Sequence, residues 1–454
     1  MERLILPDSE PGATLERHGV CHCLLTGHDG GTSDLDFMVA PADLVRLPAA
    51  LADLARVGGA RLVQAVTHEH GATWHVLARR QGASLACLQL DGCTDYRRAG
   101  RTWLSAAALL ARRWRDARGR WLPAPADAFA YYLIKKIDKG SLSDAQGRQL
   151  QDCLAQDPEG CGLRLRALFP EPAAARIALA LRAADWTALR GQLPTLRRDL
   201  RRHVPAGPRS LPDRLRHGLL RLRRLRFPTG LTVVVLGPDG CGKSTALAHL
   251  SVALAPVFRR VVRQHLFWPL RGATVAHGMP GTPPATVIPP YAAPPRGLPG
   301  SLAKLGWFWL RALLGEWLHV APARWRSTLV LFDRHYPDLA IDPLRYRYAG
   351  PLWLARALGR LLPAPDLVLV FDAPATVLQA RTTELTPPQS GRQRAAYRAW
   401  LARHPAAYCI DASTSPERVA EAALERVLEH LEQRCRRRLG LPAVAPAVAW
   451  GRAP

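Results

Sequence analysis

Four stretches in the C-terminal half of the chain are apolar almost without interruption: "LTVVVLG" from Leu231, "STLVLFD" from Ser327, "DLVLVFDAP" from Asp366 and "AYCIDAS" from Ala407. A strand with one wet face alternates apolar and polar residues. An unbroken run is expected where both faces are covered, as in a parallel sheet flanked by helices. Helical patterns separate these runs, so an α/β sandwich is expected over residues 230–440. The front half has shorter apolar runs, "CHCLLTG" from Cys21 and "LACLQLD" from Leu85, and a helical pattern, "DAFAYYLIKKIDKG" from Asp127. It predicts a smaller α+β domain over residues 1–200. Between the two, residues 201–229 form a Pro-punctuated, Arg-rich connector. Within it, "LPDRLRHGLLRLRRLRF" repeats apolar residues at helical spacing. Such a pattern suits peripheral contact with an anionic membrane surface; a connector helix with a solvated Arg face writes the same pattern. A disordered tail is expected over residues 441–454. The most apolar helical stretch, "SLAKLGWFWLRALLGEWLHVAPA", carries Lys304, Arg311 and Glu316, too many charges for a bilayer span, and is expected to be a buried helix.

At 454 residues the chain is long enough for two domains. Its formal charge of +25 would ordinarily suggest nucleic acid. However, only five of the 62 basic residues are Lys (Lys135, Lys136, Lys139, Lys243 and Lys304). So strong an Arg bias is what a GC-rich genome writes into any protein, and no aromatic-basic reading motif accompanies it; nucleic acid is not the expected partner. The nine cysteines lack CxxC spacing and read as reduced thiols. With no signal-peptide pattern in "MERLILPDSEPG", a cytoplasmic location is expected.

The chemistry begins at "GPDGCGKST". Gly237 to Ser244 matches G-x-x-x-x-G-K-[ST] between a buried strand and a helical pattern. Gly237, Gly240 and Gly242 let backbone N–H groups curl around phosphate oxygens, and the helix N-terminus adds its positive dipole end. Lys243 is expected to bridge the β- and γ-phosphates of ATP and Ser244 to hold Mg²⁺, with Thr245 beside it. Asp239 places a carboxylate inside a loop built for anions, which calls for a polar partner of its own.

This loop resembles that of thymidylate kinases, in which an acidic residue at this place faces the ribose of the acceptor nucleotide. The resemblance implies a P-loop NTPase fold for residues 230–440 and transfer of the γ-phosphoryl group of ATP to a nucleoside monophosphate. "TLVLFDRH" ends a strand in an Asp-Arg pair as those kinases do. By that resemblance Asp333 holds Mg²⁺ through water or positions the acceptor, and Arg334 grips the acceptor phosphate. Arg381, Arg392 and Arg394 become lid residues that neutralise the transferring phosphoryl group. "DRHYPDLAIDPLRYRYAGP" departs from that pattern and resembles instead the thymidylate-kinase-like proteins encoded among polysaccharide-biosynthesis genes, as do Ser301 and Lys304. Tyr346, Arg347 and Tyr348 are then expected on the acceptor side, and a sugar or glycan hydroxyl becomes a rival acceptor, with Asp333 or Asp338 as base. A third reading is an ATP-binding scaffold of a membrane-associated glycan-synthesis complex.

In "LLTGHDGGTSDLDFMV", Asp34 and Asp36 stand at i and i+2 and share one strand face, where a cation would relieve their repulsion. The pattern resembles the nucleotidyltransferase fold, a Gly-rich turn followed by Asp-x-Asp. The resemblance implies a third metal-binding carboxylate, Asp91 or else Asp95, although Gly27, Gly30 and Gly31 stand in place of the usual Gly-Ser pair. Lys135 and Lys139, i and i+4 on one helical face, suit a triphosphate.

Overall fold

The computed structural model describes residues 2–7, 10–26, 34–67, 72–98, 100–205, 218–219, 222, 225–267, 294–381 and 385–443. The Gly-rich turn at Gly27, Gly30 and Gly31, most of the Arg-rich connector, and the end of the expected tail lie outside them. The chain divides into two compact units: Glu2–Arg79 with Ala86–Leu222 and the residues from Cys435 on, and Arg223–Arg434 with Arg80–Leu85.

In the first unit, strands β1 (Glu2–Arg3), β2 (His22–Thr26), β3 (Asp34–Val39), β4 (Arg61–Thr67), β5 (Ala72–Gln81) and β6 (Ser84–Cys93) make one mixed sheet. Its order is β2-β3-β6-β5-β4, with β1 also paired to β6. Two short pairs follow, β7 (Tyr96–Arg98) with β8 (Arg101–Leu104) and β9 (Trp114–Arg115) with β10 (Trp121–Leu122). Five helices come next: Pro125–Lys139, Asp144–Gln156, Pro158–Leu168, Glu171–Arg182 and Trp186–His203. Their boundaries are written locally. Ser143 and Gln146 form a reciprocal capping box, Asp157 and Asp185 cap the helices Pro158–Leu168 and Trp186–His203 through their carboxylates, and Gly140 ends the first in a left-handed turn. Phe129, Ile134, Leu150, Ile177 and Leu196 share one core with Met38 of the sheet, which makes this unit α+β.

In the second unit the four apolar runs become β11 (Leu231–Leu236), β13 (Thr328–Asp333), β14 (Leu367–Asp372) and β15 (Tyr408–Asp411). A fifth strand, β12 (Arg260–His265), forms the edge in the order β12-β13-β11-β14-β15. Every pairing in this sheet is parallel. The sheet is therefore the parallel α/β sheet that the continuous runs predict. Val234, Leu236, Val330, Phe332 and Val370 cluster with Tyr397 and Ile341 on one face. The helix Lys243–Ala253 packs against β11, β12 and β13. Because the chain leaves β11 toward β12 on one side and later reaches β14 on the other, the strand order reverses at the carboxyl end of β11, where ligands bind in open α/β sheets.

One expectation is overturned. The stretch from Leu298 is helical over Leu298–Gly315 and continues through a π-helical turn, Glu316–Val320, but it is not a buried helix. Leu302, Trp307, Leu310, Trp317 and Leu318 are exposed, and only Ser301, Leu305, Gly315 and Val320 are buried along it. An apolar composition names a buried helix only when every face has a neighbour. Among the described residues no helix is long and apolar enough to cross a membrane.

Candidate functional site

The loop after β11 is shaped by its glycines. Gly237, Gly240 and Gly242 have φ of +145°, +83° and +83°. A Cβ on Gly237 would stand 2.5 Å from the Phe371 carbonyl oxygen of the neighbouring strand, so this position admits glycine alone. Gly242 caps the helix Lys243–Ala253 and brings no side chain of its own to the first N–H groups, which lie at the loop; the Lys243 N–H is met by the Cys241 sulfur. Lys243 is buried and folds back, donating to the carbonyls of Gly237 at 2.8 Å and Pro238 at 2.6 Å. The loop thus gathers an ammonium and a helix N-terminus around one point, an anion-binding arrangement.

Parallel register places Asp333, the last residue of β13, beside Val235 of β11 and His265 of β12. Its Oδ2 accepts a 2.8 Å hydrogen bond from the exposed Ser244 hydroxyl. A hydroxyl and a carboxylate side by side form an all-oxygen donor set that fits Mg²⁺. Ser244 and Asp333 are the residues that would hold it, and the ion would supply charge neutralisation for a polyphosphate. Thr245 is exposed on the first turn of the same helix, and Arg263 of β12 donates to the Ser244 carbonyl at 3.3 Å.

Behind the loop lies a buried polar network. Arg334 follows Asp333 in a left-handed conformation, φ +71°, an uncommon state for a side chain of this size. It is 4% exposed. Its Nη2 donates to Asp239 and its Nη1 to Asp338 Oδ2 at 3.1 Å. Asp338 is fully buried and also accepts from the Tyr397 hydroxyl at 2.9 Å. The second oxygen of Asp239 accepts from Arg345. Gln393 closes the network: its Oε1 accepts from the Asp239 N–H at 3.0 Å, and its Nε2 donates to Asp342 Oδ2 at 2.8 Å. Burial pushes the Asp239 carboxyl up, yet the combined pull of Arg334, Lys243 and Arg345 holds it below the usual carboxylate range. For Asp338 burial wins over Arg334 and Tyr397, and its pKa is raised.

The segment after Asp342 is held from below. Lys304 donates to the Tyr346 carbonyl and lies 5.2 Å from the centre of the Phe308 ring. Ser301 accepts from the Ala349 N–H at 3.0 Å and donates to the Arg296 carbonyl at 3.1 Å. Tyr346 and Tyr348 are buried in a small core with Leu305, Tyr336 and Leu339. Arg347 donates outward to the Pro294 carbonyl. Ser301 and Lys304 are therefore backbone anchors for the segment that delivers Arg345 to Asp239.

The arginines expected of a lid are otherwise engaged. Arg381 donates to the carbonyls of Ala412 at 2.7 Å and Thr414 at 3.1 Å. Arg394 makes a two-pronged pair with Asp372 at the end of β14. Arg392 is exposed on the helix Pro387–Ala402 and donates to the Pro388 carbonyl one turn back. In this structure Arg381 ties a helix end to the loop after β15, and none of the three is bonded to the phosphate loop.

In the first unit, parallel pairing of β3 with β6 sets Asp36 opposite Asp91 and Asp34 opposite Gln89. Asp34 and Asp36 share one sheet face by alternation, and the register sets Asp91 beside Asp36 on it. Desolvation by the surrounding protein, with the charge of Asp36 added, raises the pKa of Asp91 to about 6, although its side chain reaches the surface. Asp36 is itself buried, and one of its oxygens accepts from both Lys135 and the Thr26 hydroxyl. Among the described residues no group of three or more His, Cys, Asp or Glu side chains is placed to hold a metal ion. The metal cluster that Asp34, Asp36 and Asp91 would form by resemblance does not fit this arrangement, because an ammonium already occupies the Asp36 carboxylate. Asp95 is turned to other work, accepting from the Ala106 N–H and from Arg97.

No protein-family model matches the chain, and no curated protein matches it. Among solved structures, the thymidylate kinase from Ehrlichia chaffeensis is similar to 44% of this chain over 100% of its own length, at 16% identity and a TM-score of 0.30, a likeness too slight to bear on function.

Proposed function

We propose that this chain is an ATP-dependent phosphotransferase, whose second unit binds ATP with Mg²⁺ at the loop Gly237–Ser244 and transfers the γ-phosphoryl group to an acceptor. One observation carries the reading: the Ser244 hydroxyl lies 2.8 Å from Asp333 Oδ2, beside a buried Lys243 at the N-terminus of the helix Lys243–Ala253. In that arrangement the loop N–H groups and Lys243 hold the phosphates and offset the charge that develops on them. The acceptor side is Asp239, Arg334, Arg345 and Gln393, directly behind the loop. Two acceptor classes suit the sequence, a nucleoside monophosphate and a sugar or glycan hydroxyl. The choice turns on whether Arg334 is free to hold a phosphate.

Release of ADP by the full chain, compared with Lys243→Ala, tests the reading. Loss of Lys243 is expected to lower turnover by about two orders of magnitude or more, the scale seen when a preorganised donor to the developing charge is removed. Equal turnover by both proteins would remove Lys243 from the site. ATP binding without turnover would instead favour the scaffold.

A further inference from the structure

The network behind the phosphate loop carries an inference about the acceptor, and it rests on the phosphotransferase reading. A site that receives a phosphate monoester needs cationic side chains whose charge is not already spent, because a dianion pulled from water is costly unless it meets uncompensated positive charge. Here each described cation of the network is answered by a carboxylate of the protein itself. Arg334 is bonded to Asp338 and Asp239. Arg345 is bonded to the other oxygen of Asp239. Lys243 lies 4.0 Å from Asp239 and donates to two loop carbonyls. Three cations, Lys243, Arg334 and Arg345, thus stand among three buried carboxylates, Asp239, Asp338 and Asp342. A phosphate group arriving here would have to displace carboxylates from Arg334 and Arg345, leaving buried negative charges against one another.

The surroundings suit another kind of guest. A carboxylate such as Asp239, a Gln amide and a Tyr hydroxyl accept and donate hydrogen bonds without needing charge in return. We propose that the acceptor is an uncharged molecule presenting a hydroxyl, of sugar or polyol character, and not a phosphate monoester. In the reaction, the acceptor hydroxyl oxygen forms a bond to the γ-phosphorus of ATP. The bond from that phosphorus to the β,γ-bridging oxygen breaks, ADP leaves with the electron pair, and the hydroxyl proton passes to solvent. The product is a phosphate monoester of the acceptor. Arg334 then acts as a positioning residue: braced from behind by the buried Asp338, it holds Asp239 in place to receive a hydroxyl group of the acceptor.

The test uses the full chain saturated with ADP and Mg²⁺, so that the phosphate loop is filled, and titrates thymidine and thymidine monophosphate by calorimetry. The expected result is that the phosphate group adds no affinity in the wild type. Asp338→Asn, which removes one carboxylate from Arg334, is expected to bind the monophosphate at least about tenfold more tightly than the wild type does. Tighter binding of the monophosphate than of thymidine by the wild type overturns the inference, and this comparison needs no variant to fold. Absence of ADP binding removes the phosphotransferase reading and the inference with it, so the two failures are distinguishable. A second arm incubates the wild type with ATP, Mg²⁺ and a panel of neutral monosaccharides and polyols beside thymidine monophosphate, followed by ³¹P NMR. A new phosphomonoester resonance supports the inference; a nucleoside diphosphate overturns it.

Discussion

Replacing Arg334 by Met and Asp338 by Leu, singly and together, probes the buried network. Asp338 is fully buried, and its two oxygens accept from Arg334 at 3.1 Å and Tyr397 at 2.9 Å. Hydrogen bonds to a charged group are worth about 1.5–3 kcal/mol each. Arg334→Met leaves Asp338 and Asp239 buried without their shared cation, and Asp338→Leu leaves Arg334 and the Tyr397 hydroxyl short of an acceptor. Each single change is therefore expected to cost about 3–5 kcal/mol, the scale for breaking one side of a buried ion pair. The double variant removes both partners, so it should be less destabilised than the sum of the singles by about 1.5–3 kcal/mol. Urea unfolding of the full chain, followed by tryptophan fluorescence, measures all four proteins. Costs that add to within about 0.5 kcal/mol would refute the coupling and show that the two side chains do not act as one unit.

Gly237→Ala is expected to abolish nucleotide binding and lower stability by a few kcal/mol (about 2–4), because a Cβ meets the Phe371 carbonyl at 2.5 Å and φ is +145°; near-normal ATP affinity in that variant would contradict the loop geometry. His75 is 3% exposed, and burial lowers its pKa to about 4. The folded protein keeps it neutral while the unfolded chain protonates it near pH 6.5, so stability is full above that pH and falls as pH drops from 6.5 toward 4. A denaturation midpoint for the first unit that is as high at pH 5 as at pH 7 would contradict that burial. Lys135→Met is expected to let the Asp34, Asp36 and Asp91 face bind Mn²⁺ detectably by electron paramagnetic resonance, since it removes the ammonium from Asp36; equal Mn²⁺ binding by wild type and variant would show that Lys135 does not take the place of a cation.

The parts of the site legible in the sequence are those written in consecutive residues. Gly237 to Ser244 declares itself because strand, glycine turn and helix adjoin, and Asp333 because it ends an apolar run. Asp34 and Asp36 share a face through simple alternation, and register then brings Asp91 opposite Asp36. The partners of Asp239 were hidden by distance along the chain: Arg345 is 106 residues away and Gln393 is 154 away. Nothing local marks either, since Arg345 lies among similar residues in "LRYRY" and Gln393 among other polar residues in "QSGRQR". Strand β12 escaped notice because it is an edge strand, half-exposed and interrupted by Arg263 and Gln264. Arg381 has partners that the sequence gives no sign of. Its place after β14 suggested a lid, but carbonyls at the end of β15, more than thirty residues on, capture its guanidinium. A residue type in a familiar position names a role only when nothing nearer claims its hydrogen bonds.

The central claim, that the loop from Gly237 to Ser244 holds a nucleoside triphosphate, is tested most directly by equilibrium titration of the full chain with ATP in the presence of Mg²⁺, beside Lys243→Ala. Saturable one-to-one binding by the wild type, weakened at least about tenfold in Lys243→Ala, is the result predicted. Absence of binding to the wild type, or equal binding by both proteins, would contradict it.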